Sequence, residues 1–375
     1  MGKKDENMKK SMCSILLLFL LLMPVIKADA MDYTLNEGKE IEAPYAGTEE
    51  DSYNYFKFVP AKNGYAEIKV KTSNGAPLTI DICDAAKQIE AENVVINNKK
   101  SVLHKVKKGV TYYIRTKGIE GQTHIISYKS NNFETLKYAK KYSYSFTNAS
   151  LCSYENALIL KFKAKESGNM NLMCNAGDNL DIQYLNGKKK LVSNVSLIKG
   201  HSLTGIGVNK GSTYYIKIWK PDYNKEGTIT ISNIKYQIEK TTFLKNATRG
   251  QAKTIQASGN KTEAVKQLLE AGKKNTSWYK IKLKKKKKIT LTFESHLLQN
   301  NGDGIQLYIC NAKGKELHKE AIVITEEAKA SYKKKYKMEY PRKKITTGIL
   351  PAGTYYVKII SNNKNTSGSY QLSWK

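Results

Sequence analysis

The sequence predicts an all-β protein: three tandem β-sandwich domains of the jelly-roll kind, with one short helix inserted in the third. Three observations carry this. One phrase is said three times, as Lys108-Gly109-Val110-Thr111-Tyr112-Tyr113-Ile114-Arg115, as Lys210-Gly211-Ser212-Thr213-Tyr214-Tyr215-Ile216-Lys217 and as Ala352-Gly353-Thr354-Tyr355-Tyr356-Val357-Lys358. Between the copies, apolar and polar residues alternate in short runs bounded by turn residues, which is the pattern of half-buried strands. The composition, 40% hydrophobic with 25 tyrosines, belongs to folded β structure rather than to disorder. A chain of 375 residues then divides into three units of about a hundred residues each. The expected bounds are 31–129, 130–238 and 239–375, after a signal peptide over 1–30.

Within the phrase, a turn glycine precedes residues that favour a pleated backbone. Alternate strand residues point to opposite faces, so Tyr112 with Ile114, Tyr214 with Ile216 and Tyr355 with Val357 are assigned to the core. The outward face then carries Tyr113 and Arg115, Tyr215 and Lys217, and Tyr356 and Lys358. An aromatic ring beside a cation can stack on a sugar or hold an anion. It is equally the pattern of plain cross-strand packing beside a solvated base.

Taken in order, the first unit reads as strands at Tyr55–Phe58, Ala66–Lys71 and Leu78–Ile82, separated by Lys62-Asn63-Gly64 and Ser73-Asn74-Gly75 turns. Val102–Val106 leads into the first Tyr-Tyr strand, and Ile125–Tyr128 closes the unit. The second repeats this order with Leu158–Phe162, Asn169–Met173 after a Ser167-Gly168 turn, Leu180–Tyr184 before Asn186-Gly187, and Thr228–Ile231. The third adds two insertions. Over Lys261–Ala271, Ala264, Val265, Leu268 and Leu269 recur at helical spacing with Gly272 as a stop, which predicts a short amphipathic helix. Glu326–Lys344 is densely charged and interleaved with Tyr332, Tyr336 and Tyr340. Lys284–Lys288 falls between two strands and is expected at the tip of a hairpin.

Trp278-Tyr279-Lys280-Ile281, the Ile289-Thr290-Leu291-Thr292 strand, Ile309 to Leu317, Leu350 to Val357 and Ser367-Gly368-Ser369-Tyr370 together resemble a bacterial pre-peptidase C-terminal domain. The first two repeats resemble that family through the Tyr-Tyr strand and the order of elements. The resemblance implies a secreted β-sandwich that assists secretion, localisation or substrate binding beside a secreted hydrolase. Residues 31–375 are read as three copies of this unit without the catalytic domain that such a module usually trails, so a stand-alone binding role is expected.

Formal net charge is +30, and since residues 1–30 hold five bases and three acids, the remainder carries +28. Such a field concentrates polyanions such as nucleic acid, anionic membrane, or the acidic polymers of a bacterial wall. The only arginines are Arg115, Arg249 and Arg342. Bidentate base readout favours arginine, so diffuse attraction fits this composition better than specific nucleic-acid recognition. A basic start, the apolar run Ile15–Ile26 and the small-x-small Ala28-Asp29-Ala30 read as a secretory signal cut after Ala30. Secretion to the exterior or the cell surface is therefore expected, with no membrane span once the signal is removed. Cys152 and Cys174 share one repeat and can pair in an oxidising compartment, although nothing requires it. Cys83 and Cys310 hold equivalent positions where the second repeat has Leu185, which argues against a shared metal.

Chemistry is sparse. Gly200-His201-Ser202-Leu203-Thr204 is the nearest approach to a nucleophile elbow, but threonine replaces its second glycine. Histidines 104, 124, 201, 296 and 318 contain no His-x-x-x-His pair, so no catalytic residue and no metal ligand is assigned. Asn300-Asn301-Gly302-Asp303-Gly304 offers calcium an oxygen-rich turn at Asp303 without the further carboxylates of a tight site. The expected function is that of a secreted, non-enzymatic, cationic binding or adhesion module for an anionic wall polymer or glycan. The candidate contacts are Tyr113, Arg115, Tyr215, Lys217, Tyr356, Lys358 and Trp278, with Lys284, Lys285, Lys286, Lys287 and Lys288 adding charge. The alternatives are an accessory or inhibitory subunit that docks a secreted peptidase, and a divergent hydrolase around His201 and Ser202.

Overall fold

A computed structural model describes residues 31–45, 53–97, 100–117, 121–131, 135–197, 199–222, 224–257, 264–299, 304–322, 340–364 and 366–375. The signal segment 1–30 and the candidate calcium turn at 300–303 lie outside them, as does 323–339 with Tyr332 and Tyr336. The chain is nearly all β and divides into two compact units, 1–131 and 132–375. The division falls at 131/132, and 238/239 lies inside a strand of the second unit, Thr228–Lys240. Among the described residues no helix is long and apolar enough to cross a membrane.

The first unit has nine strands among its described residues: β1 Asp32–Thr34, β2 Ile41–Pro44, β3 Asn54–Phe58, β4 Gly64–Thr72, β5 Leu78–Cys83, β6 Ile89–Ile96, β7 Ser101–Val106, β8 Tyr112–Thr116 and β9 Thr123–Asn131. One sheet runs β1-β3-β8-β5-β6, and β7-β4-β9-β2 runs in order in another. Strand alternation buries Phe56, Phe58, Ile80, Ile82, Tyr112 and Ile114 from the former and Ile68, Val70, Val102, Ile126 and Tyr128 from the latter. Phe58 meets Tyr128 with ring centroids 4.8 Å apart. The core therefore lies between the two layers.

The second unit continues with β10 Tyr142–Thr147, β11 Leu158–Lys163, β12 Gly168–Ala176, β13 Leu180–Asn186, β14 Leu191–Leu197, β15 Gly200–Val208, β16 Thr213–Trp219 and β17 Thr228–Lys240. Then come β18 Lys253–Thr254, β19 Val265–Leu269, β20 Thr276–Leu283, β21 Lys287–Gln299, β22 Ile305–Asn311, β23 Glu316–Ile322, β24 Arg342–Leu350, β25 Gly353–Ser361 and β26 Ser367–Trp374. The orders are β11-β16-β13-β14 and β15-β12-β17-β10, then β18-β20-β25-β22-β23 and β19-β26-β21-β24. These orders repeat those of the first unit, except that β11-β16-β13-β14 lacks a counterpart of β1. In residues 241–375, Tyr279, Ile281, Leu307 and Val357 of one sheet share a core with Leu291, Phe293, Tyr370, Leu372 and Trp374 of the other.

The recurring phrase has a local cause. Tyr112 Oη accepts the Lys107 amide at 3.1 Å, Tyr214 Oη accepts the Asn209 amide at 3.1 Å, and Tyr355 Oη donates to the Pro351 carbonyl at 3.0 Å. The first tyrosine of each pair thus ties down the turn that precedes its own strand. Gly109 and Gly211 sit in that turn at φ 74° and 81°, where a side chain would be strained.

Two expectations fail. Val265–Leu269 is not a helix but a strand, paired residue by residue with Leu372–Gly368 of β26. Only a handful of residues carry the apolar spacing, and an exposed edge of β26 rewards extended pairing more than so short a helix rewards itself. Gly272 follows at φ 80° as a turn residue rather than a helix stop. Lys284–Lys288 is not a hairpin tip either, because β20 and β21 belong to different sheets. Lys284–Lys286 instead form an exposed arch from one layer to the other, and Lys287 and Lys288 open β21.

Within the second unit, residues on either side of 238/239 are stitched together. The Gly207 amide donates to Ser367 Oγ at 2.8 Å, Asn169 Nδ2 donates to the His296 carbonyl at 3.1 Å, and a Cβ on Gly207 would collide with the Leu269 carbonyl.

Candidate functional site

The outward faces of the three related sheets carry the predicted residues as alternation requires: Tyr113, Arg115, Tyr215, Lys217, Tyr356, Lys358 and Trp278 are all half-buried, while their chain neighbours are buried. Register then decides what each base meets across the ladder. Arg115 stands between Tyr55 of β3 and Asp81 of β5. Lys217 stands between Ile159 of β11 and Gln183 of β13. Lys358 stands between Trp278 of β20 and Tyr308 of β22.

In the first row the base is satisfied internally. Arg115 Nε and Nη2 donate to Asp81 Oδ2 at 2.9 and 2.6 Å, while Asp81 Oδ1 accepts the Asn93 amide at 2.9 Å. The bonds to Asp81 raise the Arg115 pKa against the opposing effect of burial, which is the largest single influence. The guanidinium also lies over Tyr53, 4.2 Å from the ring centroid. Lys87 covers Tyr55 and Tyr113 at 4.2 and 5.2 Å and pairs with Asp32 at 3.1 Å. Every outward ring here is capped by the chain's own cations.

The second row is intermediate. Lys217 lies over Tyr154, which meets Trp219 edge-on at 5.2 Å, and Lys189 lies 5.5 Å over Tyr215. Ile159 is 40% exposed, so this row lacks the aromatic flank of the others.

The third row is aromatic, cation, aromatic. Lys358 Nζ lies 5.5 Å from the Trp278 ring and 5.2 Å from the Tyr308 ring. Tyr356 meets Trp278 edge-on at 6.4 Å, Arg249 lies 5.9 Å over Tyr356, and Lys319 lies 5.7 Å over Tyr308. Among the described residues no carboxylate pairs with Lys358.

The second charged run is drawn elsewhere. Arg342 is hydrogen-bonded to Glu294, and Lys343 pairs with Glu320 at 2.5 Å. Lys344 faces Thr292 while Lys288 faces Ile349, so these bases are four ladder positions apart along β21, about 14 Å. They do not converge on one point. Lys287 lies 5.4 Å over Trp374.

Gly200–Val208 is strand throughout, antiparallel to β12, without the strand-to-helix turn of a nucleophile elbow. Cys83, Cys152, Cys174 and Cys310 are free and buried, and burial pushes the Cys83 and Cys174 thiols up to about 11. Among the described residues no group of three or more histidine, cysteine or acidic side chains is gathered to hold a metal.

Reading strands singly missed Asp81, Gln183 and Tyr308. Their signal was available in the parallel between Leu78–Cys83 and Ile305–Cys310, but only the register sets them beside the bases. Tyr53 and Lys87 come from loops and gave no signal.

No protein-family model matches the sequence, and no curated protein matches it. Among solved structures the chain is similar to tripeptidyl peptidase 2, with 8% identity and a TM-score of 0.23 over 92% of this chain and 32% of that one. It thus spans about a third of that peptidase's length. It is also similar to the tandem CBM51 modules of a family 98 glycoside hydrolase from Streptococcus pneumoniae SP3-BS71, at 8% identity and TM-score 0.18, over 57% of this chain and 81% of that one. A chain of the lipid-containing bacteriophage PM2 matches at 11% identity and TM-score 0.17, over 89% and 98%. Superpositions this loose assign neither family nor function, and what stands is an all-β chain whose outward sheet faces carry rows of rings and bases.

Proposed function

We propose that this chain is a secreted, non-catalytic binding or adhesion protein made of three tandem β-sandwich domains of the pre-peptidase C-terminal kind, and that it holds an anionic wall polymer or glycan. The observation that carries the reading is the recurrence of an outward ring and base on the same strand of three like-ordered sheets. A net charge of +28 over residues 31–375 supplies the long-range attraction. Weak linked sites raise effective concentration on a repeating polymer, and the lysine contribution is screened by salt. The exposed arch at Lys284–Lys286 adds to that diffuse term.

The test is retention of residues 31–375 on purified bacterial wall, with and without teichoic acid, at low and high salt. Retention that requires an anionic polymer and falls with salt supports the reading. Absence of retention at either salt overturns it.

A further inference from the structure

The three rows are not equivalent ligand surfaces. The residue across the ladder from the base is Asp81 in the first, Gln183 in the second and Tyr308 in the third. Asp81 takes the Nε and Nη2 donors of Arg115 and Asp32 pairs with Lys87, so both bases of the first face already have a carboxylate and offer little to an outside anion. In the third, Lys358 has rings on both flanks and no carboxylate partner among the described residues.

Resting on the binding-module reading, we propose that the row Trp278–Lys358–Tyr308 is the principal subsite, and that it takes an acidic polysaccharide whose sugar rings carry carboxylates. Two pyranose faces rest on Trp278 and Tyr308, and a carboxylate between them meets Lys358 Nζ. The register puts the three side chains on adjacent strands in a line across the sheet, so the two rings are separated by two strand spacings, about 9.6 Å. That is about the length of a disaccharide. An aromatic pair selects a polymer with ring faces, which a chain of open polyol phosphates does not present. The ammonium, without a carboxylate partner among the described residues, selects an acid over a neutral sugar, and Lys319 and Arg249 over Tyr308 and Tyr356 extend the positive field along the same face.

The experiment measures binding of residues 31–375 to polygalacturonate, to its methyl-esterified neutral form, and to poly(glycerol phosphate). Trp278→Ala and Tyr308→Ala are each expected to weaken polygalacturonate binding about tenfold, while Tyr55→Ala on the first face stays within about twofold. Lys358→Met is expected to abolish the preference for the acid over the ester. Trp278→Tyr, which keeps a ring, retains most of the binding and excludes a folding defect. The proposal fails if both alanine variants bind polygalacturonate as the unaltered chain does. It also fails if poly(glycerol phosphate) binds as tightly and is lost on replacing Lys284–Lys286. In either case wall retention persists and the broader reading survives. Failure to retain any polymer or wall removes both.

Discussion

The outward faces at residues 54–116 and 276–358 grow from the same strand phrase and end in opposite states. In the first, Arg115 is paired with Asp81 and Lys87 with Asp32. In the second, Lys358 lies between Trp278 and Tyr308 with no carboxylate opposite. The phrase builds a strand and a turn, and the neighbour in register decides whether its outward face is sealed or open. The cores beneath differ as well. The first unit buries His124, whose Nδ1 and Nε2 are bonded to Thr116 and Gln122 at 3.0 and 3.2 Å, while residues 241–375 bury the Tyr279–Tyr370 hydroxyl pair at 2.7 Å.

The largest effects are predicted from those cores. Burial pushes His124 down to about 4 from an ordinary value of 6.5. The unfolded chain therefore takes up a proton that the folded imidazole refuses, so stability is full above pH 6.5 and declines as pH falls towards 4. The loss in the first unit approaches roughly 3 kcal/mol. Hydrogen exchange of Ile114 and Ile126 should accelerate over that window, and an unchanged profile in His124→Gln would defeat the assignment. Alkali acts with the opposite sign. Burial pushes Tyr279 up to about 12 and Tyr370 further, so unfolded tyrosines ionise from pH 10 while these stay neutral. Each such tyrosine then withdraws about 1.4 kcal/mol per pH unit above 10, within the range where it remains protonated. Tyr65 in the first unit is raised by burial too, so alkali weakens both units while the His124 effect is confined to one.

Breaking the sealed face comes next. Asp81→Ala leaves Arg115, 18% exposed at its side chain, without its acceptor and removes the oxygen that caps the Asn93 amide. A loss of about 2 kcal/mol in thermal or denaturant unfolding is expected. Lys358→Ala on the open face removes no such bond among the described residues and should stay within about 0.5 kcal/mol. Equal losses would show that the two faces are not different in kind.

Much of this organisation was legible in the sequence, and the misses share a cause. Tyr112 against Tyr113 and Tyr355 against Tyr356 could be sorted by face because alternation is a property of one strand. The partners Asp81 and Tyr308 could not, because register between strands distant in sequence is set by the closed sheet. The same limit turned Val265–Leu269 into an expected helix: the strand it forms exists because β26 offers it an edge. It also made a hairpin of Lys284–Lys288, since nothing local says that β20 and β21 belong to different layers.

One exchange between the faces tests the comparison most directly. Tyr308→Asp gives the third face the acid that the first face has, opposite a base in the same register. The introduced carboxylate meets Lys358 on a half-exposed surface, where the new ion pair adds at most a few tenths of a kcal/mol and the loss of a strand-favouring ring costs up to about 1 kcal/mol. Its effect on binding should be far larger, because the ammonium acquires an internal partner and one stacking ring is lost together. Polygalacturonate binding should fall at least as far as in Tyr308→Ala, with the thermal midpoint no lower than that of Tyr308→Ala. If Tyr308→Asp binds as well as the unaltered chain, the acid in register is not what separates a sealed face from an open one, and the first face owes its closure to Lys87 and Tyr53 instead.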